Sequence, residues 1–308
     1  MFILKPFFSI VIPTFNQGYF LKRCLQSVFL QSFKNFEVIV VDNHSNDITK
    51  KIIKKFRKRI IYKKIMNKGI IAKSRNLGIQ AAKGEWIAFL DSDDTWKKDK
   101  LNSIYNEIGQ NSFDVICNAE WLIKNNKKKL NFFGPYENDF YKKLIISGNR
   151  LSTSASTVKK DFIKRNRILF DESKKFVTCE DYCFFMDIAR KKGKFYFLKK
   201  ALGFHKFHNK SASSNLVKHF KAEEEVLKYH IFKLQNFSKN KRGLWHESMQ
   251  YRKIRNEIND FIKNSKNLKN LNTLLELFIS SPGKFIYYLR FMLFKKINEF
   301  FYFLFQFR

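Results

Sequence analysis

Asp91-Ser92-Asp93-Asp94 places three carboxylates in four residues, directly after an apolar run from Trp86 to Leu90. Carboxylates this close repel one another, and a divalent cation removes the repulsion. Hard oxygen ligands from one or two of them, completed by substrate phosphates and water, describe a Mg²⁺ or Mn²⁺ site. Alone, the stretch reads equally well as a solvated turn in which Asp93 or Asp94 caps a helix starting near Trp96. A second acidic pair, Glu180-Asp181, precedes Phe184, Phe185, Ile188 and Ala189, which fit one buried helical face. Acids in a first turn are favoured by the helix dipole, by under about 1 kcal/mol each, and that alone accounts for this pair.

The elements around these residues decide between the readings. Phe7 to Ile12 is a β-rich run stopped by Pro13, and Gly18 to Leu30 has helical spacing, with Phe20, Leu21, Cys24, Leu25 and Val28 on one face. Phe36 to Val41 is a second strand ending in Asp42. A helix capped from Ser45-Asn46-Asp47 runs to about Phe56, Ile60 to Ile65 is a third strand, and Gly69 to Ala82 is helical with Lys83-Gly84 as its stop. Trp86 to Leu90 is the fourth strand, apolar enough to be covered on both faces. The alternation predicts an α/β fold built on a mainly parallel, Rossmann-like sheet flanked by helices. Ligands bind outside the carboxyl ends of such strands. There the sequence puts Pro13-Thr14-Phe15-Asn16, Asp42-Asn43 and Asp91-Ser92-Asp93. Neither G-x-G-x-x-G nor G-K-[ST] follows a strand, so a phosphate must be held another way, and a metal on Asp91 and Asp93 is the natural one.

Order and spacing of four segments closely resemble the family-2 inverting glycosyltransferases. They are Phe8-Ser9-Ile10-Val11-Ile12-Pro13-Thr14-Phe15-Asn16, Val40-Val41-Asp42-Asn43-His44-Ser45-Asn46-Asp47, Asn67-Lys68-Gly69 with Ser74-Arg75-Asn76, and Ala88-Phe89-Leu90-Asp91-Ser92-Asp93-Asp94. The resemblance covers about the first 210 residues and implies a GT-A fold that binds a nucleotide-sugar. By carry-over, Pro13, Thr14 and Asn16 line the nucleotide pocket, Asp42 hydrogen-bonds the base, and Arg75 lies beside the ribose or phosphates. Asp91, Ser92 and Asp93 form the D-x-D motif on ribose and metal, with His208 near the metal and diphosphate. Asp181 is the general base for the acceptor hydroxyl, and Glu180 orients it or binds the acceptor. His44 stands where the family usually has Gly, in a turn that favours φ > 0, which His tolerates better than most residues.

The resemblance divides the chain into a nucleotide-sugar half, 1–110, an acceptor and base half, 111–215, and a basic, aromatic-rich helical region, 216–308. Asn125 to Lys129 reads as the solvated tip of a basic hairpin, and Ser152 to Val158 as a packed or acceptor-side strand. His205 is expected to face the other side of its strand from His208. Cys179, Cys183, His205 and His208 lack the spacing of a structural zinc site. The four cysteines contain no C-x-x-C pair and read as reduced cytosolic thiols.

Lys and Arg outnumber Asp and Glu 60 to 27, for a formal charge of +33 spread along the chain. Such a charge suits phosphorylated substrates, an anionic membrane surface or nucleic acid. Without clustered basic residues on a recognisable nucleic-acid-binding motif, a nucleic-acid partner is not expected. Met1 to Phe8 does not read as a signal peptide, and no stretch reaches the ~18 apolar residues of a spanning helix. Phe285 to Phe307 carries eight Phe interrupted by Arg290, Lys295, Lys296 and Glu299. The segment 282–308 reads as an interfacial helix, aromatic side toward acyl chains and cations toward anionic head groups. The expectation is therefore a metal-dependent (Mg²⁺ or Mn²⁺) inverting transfer of sugar from a nucleotide donor, expected to be UDP-linked, to a saccharide or lipid-linked acceptor. Its setting is cell-surface glycan synthesis, in the cytoplasm at the inner membrane face. The alternatives are a basic nucleic-acid-binding protein and an inactive member of the same fold.

Overall fold

A computed structural model describes residues 5–110, 112–208, 215–263, 275–276 and 278–306. The chain forms two compact units, one of residues 1–136 with 150–226 and one of 137–149 with 227–308. The last break falls at 226/227, and 137–149 join the second unit.

In the first unit, β1 (Phe8–Thr14), β2 (Phe36–Asp42), β3 (Ile61–Lys64) and β4 (Trp86–Phe89) pair in parallel in the order β3-β2-β1-β4. Every residue of β1 and β4 is buried, because helices cover the sheet on both faces. Each fully buried Ile or Val of β1 contributes about 1.5–3 kcal/mol of transfer free energy. α1 (Gly18–Phe29) presents Leu21, Cys24, Leu25 and Val28 to the core at i, i+3, i+4 and i+7. α2 (Thr49–Phe56) and α3 (Ile71–Ala81) complete the βαβ units. α3 lies so close to β1 that a Cβ at Gly78 would overlap the side chain of Val11. Because the strands run parallel, Thr14, Asp42 and Asp91 emerge on one rim.

Beyond β5 (Thr95–Trp96) and α4 (Lys100–Gln110) the sheet becomes mixed. β6 (Val115–Lys124) and β7 (Lys127–Asn131) form a hairpin, and β8 (Ser156–Lys159) inserts antiparallel between β4 and β6. β9 (Phe195–Lys206) runs parallel to β6 with register shifts around Ala119 and carries β5 on its far edge. α5 (Phe140–Ser147) belongs to the second unit. α6 (Lys160–Arg165) and α7 (Glu180–Arg190) flank the sheet. Phe170 stacks on Phe184 of α7 at 4.1 Å, and Phe89 of β4 meets both edge-on, which fixes α7 against the strand that ends in Asp91.

The first unit ends within α8 (Leu216–Lys228). In the second unit, α9 (Lys241–Lys263) and α10 (Pro282–Gln306) pack through Tyr251, Ile254 and Ile258 on Tyr288, Phe285 and Phe291. The Arg252 guanidinium donates to the carbonyls of Ile145 and Ile146, tying α9 to the end of α5. Among the described residues no helix is long and apolar enough to cross a membrane.

Candidate active site

A cavity of about 580 Å³ opens in the first unit at the rim where β1 and β4 end. Pro13, Thr14, Arg75, Asp91, Ser92, Asp93, Glu180 and Asp181 line it, so residues far apart in sequence meet in one space. Each carboxylate of the 91–94 turn has its own answer. Asp94, almost wholly buried, accepts from the Lys206 amide at 3.0 Å and pairs with His205 Nδ1 at 3.1 Å. Burial alone would lower the His205 pKa, but the Asp94 charge and hydrogen bond prevail and raise it to about 10. Asp91 Oδ1 accepts from Arg75 at 2.8 Å, and Asp93 Oδ2 meets His208 Nε2 at 3.0 Å. The His208 ring stacks on Phe20 at 5.0 Å, which holds it in place.

Burial, then the charges of Asp94 and Asp91, push Asp93 up to about 6. A carboxylate under that pressure, beside an imidazole nitrogen and a second carboxylate, is a donor set that fits Mg²⁺ or Mn²⁺.

Arg75 is 3% exposed and bridges the two acidic motifs, its Nη1 on Glu180 Oε1 at 2.6 Å and its Nη2 on Asp91 at 2.8 Å. Burial opposes its charge, but Asp91 and Glu180 outweigh it, and the guanidinium is held firmly protonated. Its Nε is buried without a partner. Glu180 also accepts from the Thr178 amide at 2.9 Å, so both its oxygens are used. Thr178 sits at φ 87°, a costly conformation for a β-branched residue that the surrounding contacts must sustain. Asp181 accepts from the Tyr182 amide at 2.8 Å and from Thr153 Oγ1 at 3.3 Å. Burial and the neighbouring Glu180 charge raise it to about 6, with Arg75 pulling the other way. A carboxylate poised there is ionised at neutral pH yet basic enough to take a proton.

Three expected residues do not line the cavity: Asp42, Asn16 and His208, the last of which reaches it only through Asp93. Asp42 has no exposed surface: Oδ1 accepts from the amide and hydroxyl of Ser45, and Oδ2 from Tyr62 Oη at 3.0 Å. Its neighbour Asn43 lines the cavity instead. Asn16, at φ 50°, accepts from the Asn46 amide at 2.8 Å while its own amide donates to Ser45 Oγ, so it staples the two loops together. Thr14, by contrast, lines the cavity, and its buried Oγ1 has no hydrogen-bond partner. His44 adopts φ 56°, the conformation its place in the turn required. His205, paired with Leu122 of β6, lines the cavity with it, whereas His208 lies beyond the end of β9 and does not. The cysteines at 179 and 183 are not gathered with His205 and His208, and burial raises both thiols.

Asn43, expected on the rim, does line the cavity, whereas sequence reasoning missed Gln17, Thr178 and Glu120 as lining residues. Only Glu120 carried a signal, as a lone acid inside the apolar run Val115 to Ile123.

The profile of Glycosyl transferase family 2 matches residues 9–153. The chain is 33% identical over 118 residues to glycosyltransferase GlyG of Streptococcus pneumoniae, covering 37% of this chain and 38% of that protein. It is 32% identical over 184 residues to the poly(ribitol-phosphate) beta-N-acetylglucosaminyltransferase TarP of Staphylococcus aureus, covering 57% of this chain and 55% of that one. The chain thus spans about half or less of the length of these curated relatives. The crystal structure of S. aureus TarS 1-349 in complex with UDP-GlcNAc superposes with a TM-score of 0.65 at 21% identity, over 88% of this chain and 79% of that one, which establishes a shared fold. Residues 9–153, which contain the D-x-D turn on the rim of a mixed α/β sheet, match glycosyl transferase family 2, and the chain has the GT-A fold.

Proposed function

We propose that this chain transfers a sugar, with inversion, from a UDP-class nucleotide-sugar to a hydroxyl of a saccharide or lipid-linked acceptor in the assembly of a cell-surface glycan. The observation that carries the reading is that Asp181 and the Asp91–Asp93 turn line one cavity. An acceptor hydroxyl is a poor nucleophile and needs a base within hydrogen-bond reach. In this reading the Asp181 carboxylate takes the hydroxyl proton as the oxygen bonds to the anomeric carbon. The bonding pair of the old glycosidic linkage leaves with the nucleoside diphosphate on the opposite face. Glu180 and Arg75 hold the base and the D-x-D turn in fixed relation. Pro13, Thr14 and Ser92 belong to the nucleotide pocket, the unpartnered Thr14 Oγ1 being the donor or acceptor it offers. Asp91, Asp93 and His208 would hold a divalent cation, which when bound neutralises charge on the departing diphosphate. Residues 1–110 supply the donor side and 111–215 the acceptor side. The UDP assignment rests on likeness to TarS, whose crystal structure contains UDP-GlcNAc.

Membrane attachment is part of the same proposal. One face of α10 packs on α9, while Ile286, Leu289, Leu293, Ile297, Phe300 and Leu304 are exposed, each three or four residues from the next. At 100° per residue they form one stripe, flanked by Arg290 and Lys296, which suits an anionic bilayer surface. Replacing Leu293 and Phe300 by Ser should release the protein from phosphatidylglycerol vesicles in a flotation assay, and unchanged flotation would exclude the helix.

The test of the reaction is nucleotide release from UDP-, GDP- and dTDP-sugars, with Mn²⁺ and then with EDTA. Metal-dependent hydrolysis of one UDP-sugar is expected. The absence of turnover with every donor, together with no thermal shift by UDP and Mn²⁺, would overturn it.

A further inference from the structure

We propose that one face of the β6–β7 hairpin is the track on which an acceptor carrying phosphate groups reaches the cavity; the inference rests on the transferase reading above. The hairpin turn is Asn125-Asn126, with both residues at positive φ (48° and 59°), the geometry of a two-residue turn that locks register. The locked register pairs Glu120 with Asn131, Leu122 with Lys129, and Lys124 with Lys127. Side chains alternate along a strand, so these six share one face. The inner members, Glu120, Leu122 and Asn131, line the cavity. The outer three are lysines, all exposed. Lys129 therefore stands beside the cavity wall, with Lys124 and Lys127 ~7 Å further out along the strands.

Like charges directly opposite each other cost stability, and here Lys124 faces Lys127. No carboxylate compensates them: among the described residues none of the three lysines makes an ion pair. Lys124 only rests over the Phe207 ring, at 4.8 Å. Lysines on an edge strand also discourage strand addition, and β7 is such an edge. Edge protection accounts for Lys127, Lys128 and Lys129 but not for Lys124, which lies on the inner strand β6. Lys128 points to the other face, near Phe204 at 5.9 Å, and serves as an internal control.

The cavity itself is acidic. Asp91, Asp93 and Asp181 would repel an anionic acceptor, so such an acceptor needs cations at its entry. The donor diphosphate is provided for at the D-x-D turn, which leaves the lysine face to the other substrate. A bilayer is the poorer occupant, because the segment 106–135 exposes no large apolar side chain.

The probe is short-chain linear polyphosphate, measured by its Kd and by its inhibition of donor hydrolysis. Lys124, Lys127 and Lys129 are replaced together by Ser, and Lys51, Lys54 and Lys55 of α2 give a charge-matched control. The hairpin triple should weaken binding at least tenfold and relieve inhibition, and the log Kd against log salt slope should fall by about 0.7 per lysine. The control should change Kd by less than threefold, and Lys128→Ser should resemble it. Equal losses in both triples would mean diffuse charge only and would overturn the track. So would an unchanged polyphosphate Kd with reduced binding to phosphatidylglycerol vesicles, which would make the face a membrane contact. Metal-dependent hydrolysis and the UDP thermal shift should survive in the triple. Their absence in the unaltered protein would mark failure of the transferase reading itself.

Discussion

The two walls of the cavity treat charge in opposite ways. On the rim formed by β1, β4 and α7, the carboxylates are met by protein: Asp91 and Glu180 by Arg75, Asp94 by His205, Asp93 by His208. On the β6–β7 wall, three lysines share a face, and among the described residues none of them is paired with an acid. A buried charge cannot wait for its partner, because leaving it unpaired costs several kcal/mol. An exposed lysine can wait, since water solvates it at little cost. The rim is therefore organised before substrate arrives, whereas the hairpin wall is a surface whose counter-charge comes with the ligand.

The comparison breaks hardest at Asp181. Asp181→Asn keeps the shape and the hydrogen bond from the Tyr182 amide, with Thr153 Oγ1 turned from donor to acceptor, but removes the proton acceptor, and transfer should fall ~10³–10⁴-fold, the upper range for a general base. Donor KM and the thermal midpoint should stay close to those of the unaltered protein. If Asp181→Asn retained more than a tenth of the rate, the base would have to be sought elsewhere. The same residue sets a pH limb. With its folded pKa raised to about 6, Asp181 is protonated and useless below that value and ionised above it. The log of the transfer rate should therefore fall as pH drops below about 6, where Asp93 also takes up a proton, and the Asn variant should lose the part of the slope that belongs to Asp181.

Arg75→Met comes next, and it acts on the fold as well. It strands Glu180 and Asp91 in a buried site, for a loss of about 3–5 kcal/mol in denaturant unfolding. Arg75→Lys should recover part of the stability but not the activity, because an ammonium does not span both carboxylates in the fixed geometry of a guanidinium. A stable, active Arg75→Met would mean that the bridge between the two motifs is ornamental.

The rim was legible in the sequence and the hairpin wall was not, and the reason is physical. Parallel strands end on one side, so residues that follow an apolar run, such as Thr14 and Asp91, can be placed on a rim without knowing the structure. What cannot be read is where a side chain turns once it arrives. Asp42 and Asn43 are neighbours at the same strand end, yet Asp42 turns inward to Ser45 and Tyr62 while Asn43 faces the cavity. Glu120 and the lysines beyond it gain their meaning from cross-strand register and from the irregularity between β6 and β9. Both are tertiary facts. The spacing of Asn125 to Lys129 alone looks like any solvated tip.

The smallest test separates the two roles open to Asp42. Tyr62→Phe removes one hydrogen bond to that carboxylate and leaves the ring in place. A hydrogen bond to a charged acceptor is worth about 1.5–3 kcal/mol. Tyr62 is only half-buried, so water can replace part of it and the loss should lie at the lower end or below. The pKa of Tyr62, pushed up to about 12 by burial and then by Asp42, fits a phenol that donates and stays neutral. If Asp42 serves to hold the 42–47 turn, Tyr62→Phe should lower stability while the Kd for UDP changes by less than about twofold, or about 0.4 kcal/mol. If Asp42 instead swings out to read the base, loosening it from Tyr62 should leave UDP binding equal or tighter, and Asp42→Asn should weaken UDP at least tenfold without a matching loss of stability. Isothermal titration and denaturant unfolding on the same two variants distinguish a staple from a reader.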